Sequence, residues 1–178
     1  MKIIIVGAGE VGRYVAKMLS NENHDITIMD ESEDRLQDLD TNYDIMSRVG
    51  SPTSITDLQM CGVRNCDLFI AVYPSESVNT TACIIASKLG ARKTVARIDN
   101  YEYLLPKNKE MLKNLGIDKL IYPEVLAATE IVQSLKRSWI REYRTFSNEA
   151  LVLVCVKVRE NAEIINILRK YTKIVENE

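Results

Sequence analysis

The stretch that decides the fold is Lys2-Ile3-Ile4-Ile5-Val6-Gly7-Ala8-Gly9-Glu10-Val11-Gly12. Its first half is a short, continuous run of β-branched residues, the pattern of a strand buried on both faces, as in a parallel sheet. Its second half is a glycine turn that opens a helix, because Val11, Val15, Met18 and Leu19 follow at helical spacing. Each glycine has a physical task. Gly7 permits the tight turn, Gly9 lets a pyrophosphate approach the backbone, and Gly12 lets helix and strand pack closely. The helix N-terminus offers free N–H groups and positive potential to phosphates. Asp30 stands eighteen residues past Gly12, at the end of a second apolar segment, Ile26 to Met29. A carboxylate there accepts hydrogen bonds from an adenosine ribose and repels a 2′-phosphate, which favours NAD(H) over NADP(H). Asp30-x-x-Glu33 also reads as a helix N-cap, so two roles stand open for this aspartate.

Outward from this stretch the alternation of strand and helix continues. A charged helix is expected over 31–40 and a weaker strand from Ile45 to Val49. Gly50-Ser51-Pro52-Thr53 makes a turn, and Ser54 with Asp57 has the spacing of a capping box. Asp67 to Val72 reads as a strand and Ser75 to Leu89 as a helix stopped by Gly90. Thr94 to Ile98 and Leu120 to Tyr122 are the fifth and sixth strands, with a helix near 106–115 between them. Short connections imply parallel strands and right-handed crossovers. The expected fold is therefore α/β: a Rossmann-like, doubly wound parallel sheet of about six strands, complete within residues 1–122. Pro123 starts a long helix, expected over 123–142, whose apolar residues Val125, Ala128, Val132, Leu135 and Trp139 recur at 3-4-3-4 spacing. Residues 143–178 hold a strand from Ala150 to Val158 and a short helix near 162–171, too little for an independent core.

Composition narrows the classes. With 178 residues, 46% hydrophobic and 27% charged, the chain is not a disordered one. A net charge of −2 argues against bulk nucleic-acid binding. No apolar run approaches the ~20 residues of a bilayer span, and no signal peptide is evident, so a cytosolic protein is expected. The four cysteines form no CxxC, and with His24 the single histidine they read as buried free thiols rather than a zinc site.

A dehydrogenase would need a proton donor near the hydride. Tyr103 and Lys107 have the spacing of the reductase Tyr-x-x-x-Lys pair, but Pro106 between them breaks the helix they would have to share. His24 lies at the N-terminal end of the second strand, whereas ligands of such sheets bind at the carboxyl ends. The site reads as one that binds a cofactor without reacting it. An NAD-dependent oxidoreductase domain with its substrate domain elsewhere is the alternative.

The ordered motifs GAGEVG, His24-Asp25-Ile26-Thr27, Gly50-Ser51-Pro52-Thr53, Ala71-Val72-Tyr73-Pro74-Ser75-Glu76 with Asn79, Ala96-Arg97-Ile98-Asp99-Asn100 and Ile121-Tyr122-Pro123-Glu124 run over about residues 1–140. In them the chain resembles the regulator-of-potassium-conductance domains (RCK, also KTN). The resemblance implies a regulatory subunit that binds NAD(H), with ATP or ADP possible, and gates an integral-membrane potassium-translocating subunit. It implies a cytoplasmic protein peripheral on the inner face of the membrane, and a homodimer or tetramer formed through the helix after Pro123. It also implies site residues: Gly7, Gly9, Glu10, Val11 and Gly12 at the phosphates, Asp30 at the ribose, and Ser51 and Thr53 by the adenosine. Tyr73, Ser75 and Glu76 would line the same crevice, Arg97 would point at the phosphates, and Glu124 would approach phosphates or a bound cation. Arg97 as a surface strand-end residue and Glu124 as a first-turn glutamate are the plainer readings. Triphosphate-binding relatives put a basic residue where Glu10 stands, so ATP is expected to bind less well than NAD. Ser75 and Arg97 replace two carboxylates of the calcium-gated relatives, so that calcium site is expected to be absent. Lys136, Arg137, Arg141 and Arg144 read as charge at a helix C-terminus or as a lipid or pore contact. The last segment resembles the opening of the family's C-terminal lobe, implying a fragment or a short relative.

Overall fold

A computed structural model describes residues 1–37, 39, 43–136, 140–146 and 151–156. Two compact units divide after Leu126. The first holds a six-stranded sheet built from β1 (Lys2–Val6), β2 (Asp25–Asp30), β3 (Ile45–Val49), β4 (Leu68–Ala71), β5 (Thr94–Arg97) and β6 (Lys119–Ile121). The strand order is β3-β2-β1-β4-β5-β6, and every neighbouring pair is parallel. The Rossmann-like doubly wound sheet expected from the alternation is the one observed.

The apolar run of β1 explains its central place. Ile4 and Val6 face one core with Met29, Leu58, Phe69, Ala82, Cys83 and Leu112. Ile3 and Ile5 face the other with Ile26, Ile28, Leu36, Leu39 and Ile45. Period-two alternation in a strand covered on both sides sends successive isoleucines into separate cores, each burial stabilising by roughly 1.5–3 kcal/mol. The helices that cover the faces are α1 (Glu10–Ser20), α2 (Glu33–Leu36), α3 (Ile55–Met60), α4 (Glu76–Leu89) and α5 (Pro106–Asn114). Gly90 ends α4 in the left-handed conformation at φ 117°, donating to Ala86 and Ser87 as a C-cap glycine does.

Four expectations change. The charged helix expected over 31–40 is interrupted: α2 ends at Leu36, Gln37 leaves helical geometry at φ −56°, ψ 147°, and Leu39 is helical again. The Ser54–Asp57 capping box is half formed: Ser54 Oγ accepts from the Asp57 N–H at 3.2 Å, but the Asp57 carboxylate turns to Ser51 N at 2.9 Å. The helix expected over 123–142 is α6 (Pro123–Lys136), and Ile140–Phe146 is instead a strand, β7. The strand formers Ile140, Tyr143, Thr145 and Phe146 outweigh the continued helical spacing, because an antiparallel partner, β8 (Leu151–Val156), is available in register. This hairpin belongs to the second unit. The expected helix near 162–171, and Arg137 and Trp139, lie outside the described residues. Cys61, Cys66 and Cys83 are buried free thiols, whereas Cys155 is exposed, a departure from the buried set expected. Burial pushes the Cys83 thiol up to about 12, which makes it inert at neutral pH.

Candidate nucleotide cleft

At the carboxyl ends of the strands the order reverses between β1 and β4, and this is where an open α/β sheet leaves a crevice. Gly7 ends β1 at φ 102° and donates to Met29 O at 2.8 Å, so the turn is pinned to β2. A Cβ on Gly7 would lie 3.0 Å from the Tyr73 N and Val72 C of the β4 end, and one on Gly12 only 1.8 Å from Gly7 O. Both glycines are therefore demanded by the protein's own backbone. Gly9 differs: a Cβ there would meet nothing within 4 Å. It is the N-cap residue of α1, in an extended conformation open to any residue (φ −70°, ψ −175°). The fold needs no glycine at position 9, so the free space above it is available to a ligand at the start of α1. Glu10 and Val11 are exposed beside it.

Asp30 is 1% exposed, and its partners surround its carboxyl group. Oδ2 accepts from Ala8 N at 2.8 Å and lies 3.7 Å from an Arg35 nitrogen. Oδ1 accepts from Ser32 N at 2.9 Å and from the Tyr73 hydroxyl at 3.4 Å. Asp30 thus ties the glycine turn to the start of α2, although the N-cap residue of α2 is Ser32. The N-cap reading of this aspartate gives way: its carboxyl group organises the turn locally and lines the cavity beside it.

Two cavities of about 480 and 450 Å³ share Arg35, and the carboxyl group of Asp30 lines the second. Gly9 and Glu10 line the first, Asp30, Tyr73 and Ser75 the second, and Arg35 both. The other expected residues line neither. Ser51 and Thr53 sit past β3, where Gly50 N donates to Asp30 O, with their hydroxyls 3.4 Å apart. Glu76 departs from the expected crevice role: its Oε2 accepts from Asp99 N at 2.6 Å and Asn100 N at 2.7 Å, clamping the loop after β5. Arg97 lies 3.4 Å from Asp99, and its Nε is buried without a partner. Glu124 is exposed in the first turn of α6.

Three structural residues were absent from the expected site. Asn79, 1% exposed, accepts from Tyr73 N at 2.7 Å and donates to Tyr73 O and Arg97 O at 2.9 and 3.0 Å, stapling the ends of β4 and β5. Its place in the motif after Tyr73 was the available signal. Arg13 donates to Arg35 O at 2.6 Å and holds α2 against α1, and Arg35 lies 3.7 Å from the Asp30 carboxyl group. No local pattern announces that pair. The Tyr73 hydroxyl is held above the usual tyrosine range, chiefly by burial and further by the Asp30 and Glu31 charges, so it stays a proton donor at neutral pH.

A glycine turn clasped by the strand ends of a parallel sheet, with a carboxylate closing the second strand, defines a Rossmann-type domain. Residues 3–123 match the TrkA-N domain model, and the chain belongs to that family. The resemblance drawn from the motifs is borne out. The Trk system potassium uptake protein TrkA of Haemophilus influenzae is 38% identical over 159 residues, covering 88% of this chain and 35% of that protein. The chain thus spans about a third of the length of that relative. The TrkA-N domain of the inner membrane protein YbaL from Escherichia coli superposes with a TM-score of 0.65 at 16% identity, over 75% of this chain and 96% of that one. The GsuK channel bound to NAD superposes with a TM-score of 0.56 at 22% identity, over 67% of this chain and 21% of that one. Likeness at such identity speaks to the fold. Among the described residues no helix is long and apolar enough to cross a membrane.

Proposed function

We propose that this chain is the nucleotide-sensing part of a potassium uptake system, binding NAD(H) without turning it over and gating an integral-membrane potassium-translocating subunit from the cytoplasmic face. The observation that carries the reading is the open space over Gly9 between two sterically obligatory glycines, with Asp30 fastened to the same turn. In this reading the first N–H groups of α1 take the pyrophosphate and Asp30 takes a ribose hydroxyl. A carboxylate has about four lone-pair sites, and Ala8 N, Ser32 N and the Tyr73 hydroxyl take three of those on Asp30, so one ribose hydroxyl finds a free site and a second needs a partner to give way. Ser51 and Thr53 stand toward the adenosine, Tyr73 and Ser75 wall the second cavity, and Arg97 supplies positive charge from β5. Exposed Glu10 disfavours a third phosphate, so NAD(H) is preferred to ATP. Residues 1–122 form the sensing domain, the helix after Pro123 pairs two copies, and 143–178 begin a further lobe. Ligand acts by its differential affinity for two arrangements of the assembly, typically ~1–3 kcal/mol.

The support from relatives is that TrkA of Haemophilus influenzae is named for potassium uptake and that the GsuK channel carries NAD. The oxidoreductase alternative gains nothing from the geometry. Tyr103 lies in a 3-10 turn (Tyr101–Leu104), whereas Lys107 follows Pro106 in α5, so the two share no helix. Titration calorimetry with NADH, NAD, ATP and ADP tests the reading. NADH is expected to bind more tightly than ATP with no heat of turnover in the presence of small carbonyl compounds. Tighter ATP binding would reject the NAD preference, and oxidation of NADH would reject the sensor.

A further inference from the structure

The Tyr73 ring crosses the cleft. Its backbone belongs to the end of β4, yet its hydroxyl accepts from Glu31 N at 3.2 Å and donates to Asp30 Oδ1 at 3.4 Å, at the end of β2. Between these ends lies β1 with its glycine turn. The Tyr73 backbone cannot retreat with the ring, because Asn79 holds both its N–H and its carbonyl. What can move is the side chain, about its own torsions.

We infer that Tyr73 is an internal competitor for the ribose: its hydroxyl occupies the Asp30 oxygen that a nucleotide diol would use, and binding swings the phenol out of the cleft. This rests on the nucleotide reading above and adds a property of the site. A ligand with ribose hydroxyls replaces the tyrosine hydrogen bond at Asp30, whereas a ligand without them leaves it in place. Because the phenol keeps its proton at neutral pH, the hydroxyl remains an effective rival throughout the physiological range. Tyr73 is therefore a specificity-setting residue that lowers affinity for every ribose-bearing ligand by the worth of the one long hydrogen bond it gives up.

The test is a cycle between residue and ligand, measured by calorimetry on the full chain. ADP, NADH and 2′,3′-dideoxy-ADP are titrated into the wild type and Tyr73→Phe, with matching melting curves to show that the variant folds. Removing the hydroxyl should tighten ADP and NADH by roughly two- to tenfold, the fold-change of one such hydrogen bond, and leave dideoxy-ADP unchanged. Equal tightening of all three would mean that the tyrosine is only a steric wall, and weaker ADP binding would make its hydroxyl a ligand contact; either result overturns the competitor. Should ADP and NADH fail to bind both proteins, the nucleotide reading itself falls and takes this inference with it. ADP binding that is indifferent to the substitution rejects the competitor alone.

Discussion

At the scale of single residues, the three glycines of one turn answer to different masters. Gly12 is required by the fold, since a methyl group there would collide with Gly7 O at 1.8 Å, a backbone atom that cannot step aside. Gly12→Ala should lose about 2 kcal/mol or more in urea unfolding, as overpacking against a fixed neighbour does. Gly9 is required only if something binds. Its backbone angles suit any residue and its Cβ would project into open space, so Gly9→Ala should keep its stability within about 0.5 kcal/mol. Its NADH affinity should nevertheless fall about tenfold, or ~1.4 kcal/mol. Full affinity in Gly9→Ala would show that no pyrophosphate approaches this turn. Asn79 belongs at this scale too: a buried amide with three backbone partners fixes where β4 and β5 end, and with them the mouth of the cleft.

At the scale of elements, α6 is the piece whose surface has the most left over. Leu126, Ile131 and Leu135 are 58%, 62% and 72% exposed on a helix of fourteen residues, and Val125 and Val132 add to the same apolar content. Single exposed leucines are ordinary, but this density on one helix is what the proposed pairing of two copies would cover. If two copies pair there, Leu135→Asp weakens the dimer while leaving the monomer's melting temperature unchanged. Sedimentation velocity at several concentrations reads the first and calorimetry the second. A variant that sediments like the wild type would remove α6 from the interface. The end of α6 also shows how neighbouring segments override local pattern. The helical spacing of Leu135 and Trp139 ran on past Lys136, yet Ile140 onward pairs with β8, because strand partners satisfy backbone groups that a lone helix end leaves open.

For the molecule as a whole, the first strand is locked at its start by charge. Asp67, just ahead of β4, accepts from Lys2 N at 2.9 Å and pairs with Arg92 at 3.0 Å. The Lys2 N–H and then the Arg92 guanidinium hold its carboxyl below its ordinary 3.8. A carboxyl depressed in the folded state stabilises fully above the unfolded value and loses that contribution as pH falls through the lower folded value. Asp67→Asn should therefore melt below the wild type near pH 7, with the gap closing as acid protonates the carboxyl group below its ordinary range. A gap that persists in acid would show that shape, not charge, makes the contact.

Much of this was legible from sequence because it depends on neighbours along the chain. The β-branched run of β1, the glycine turn, the Gly90 stop and the Ser54 cap follow from backbone sterics and hydrogen bonding over a few residues, and so did the doubly wound order. The tertiary structure alone decided what depends on distance in space: that Tyr73 reaches Asp30, that Glu76 clamps Asp99 and Asn100 instead of facing the cleft, that Arg35 enters it, and that Ile140–Phe146 pairs as a strand. Local rules choose the elements, but a long side chain takes whichever partner the packed sheet brings within reach, and that partner can lie more than forty residues away.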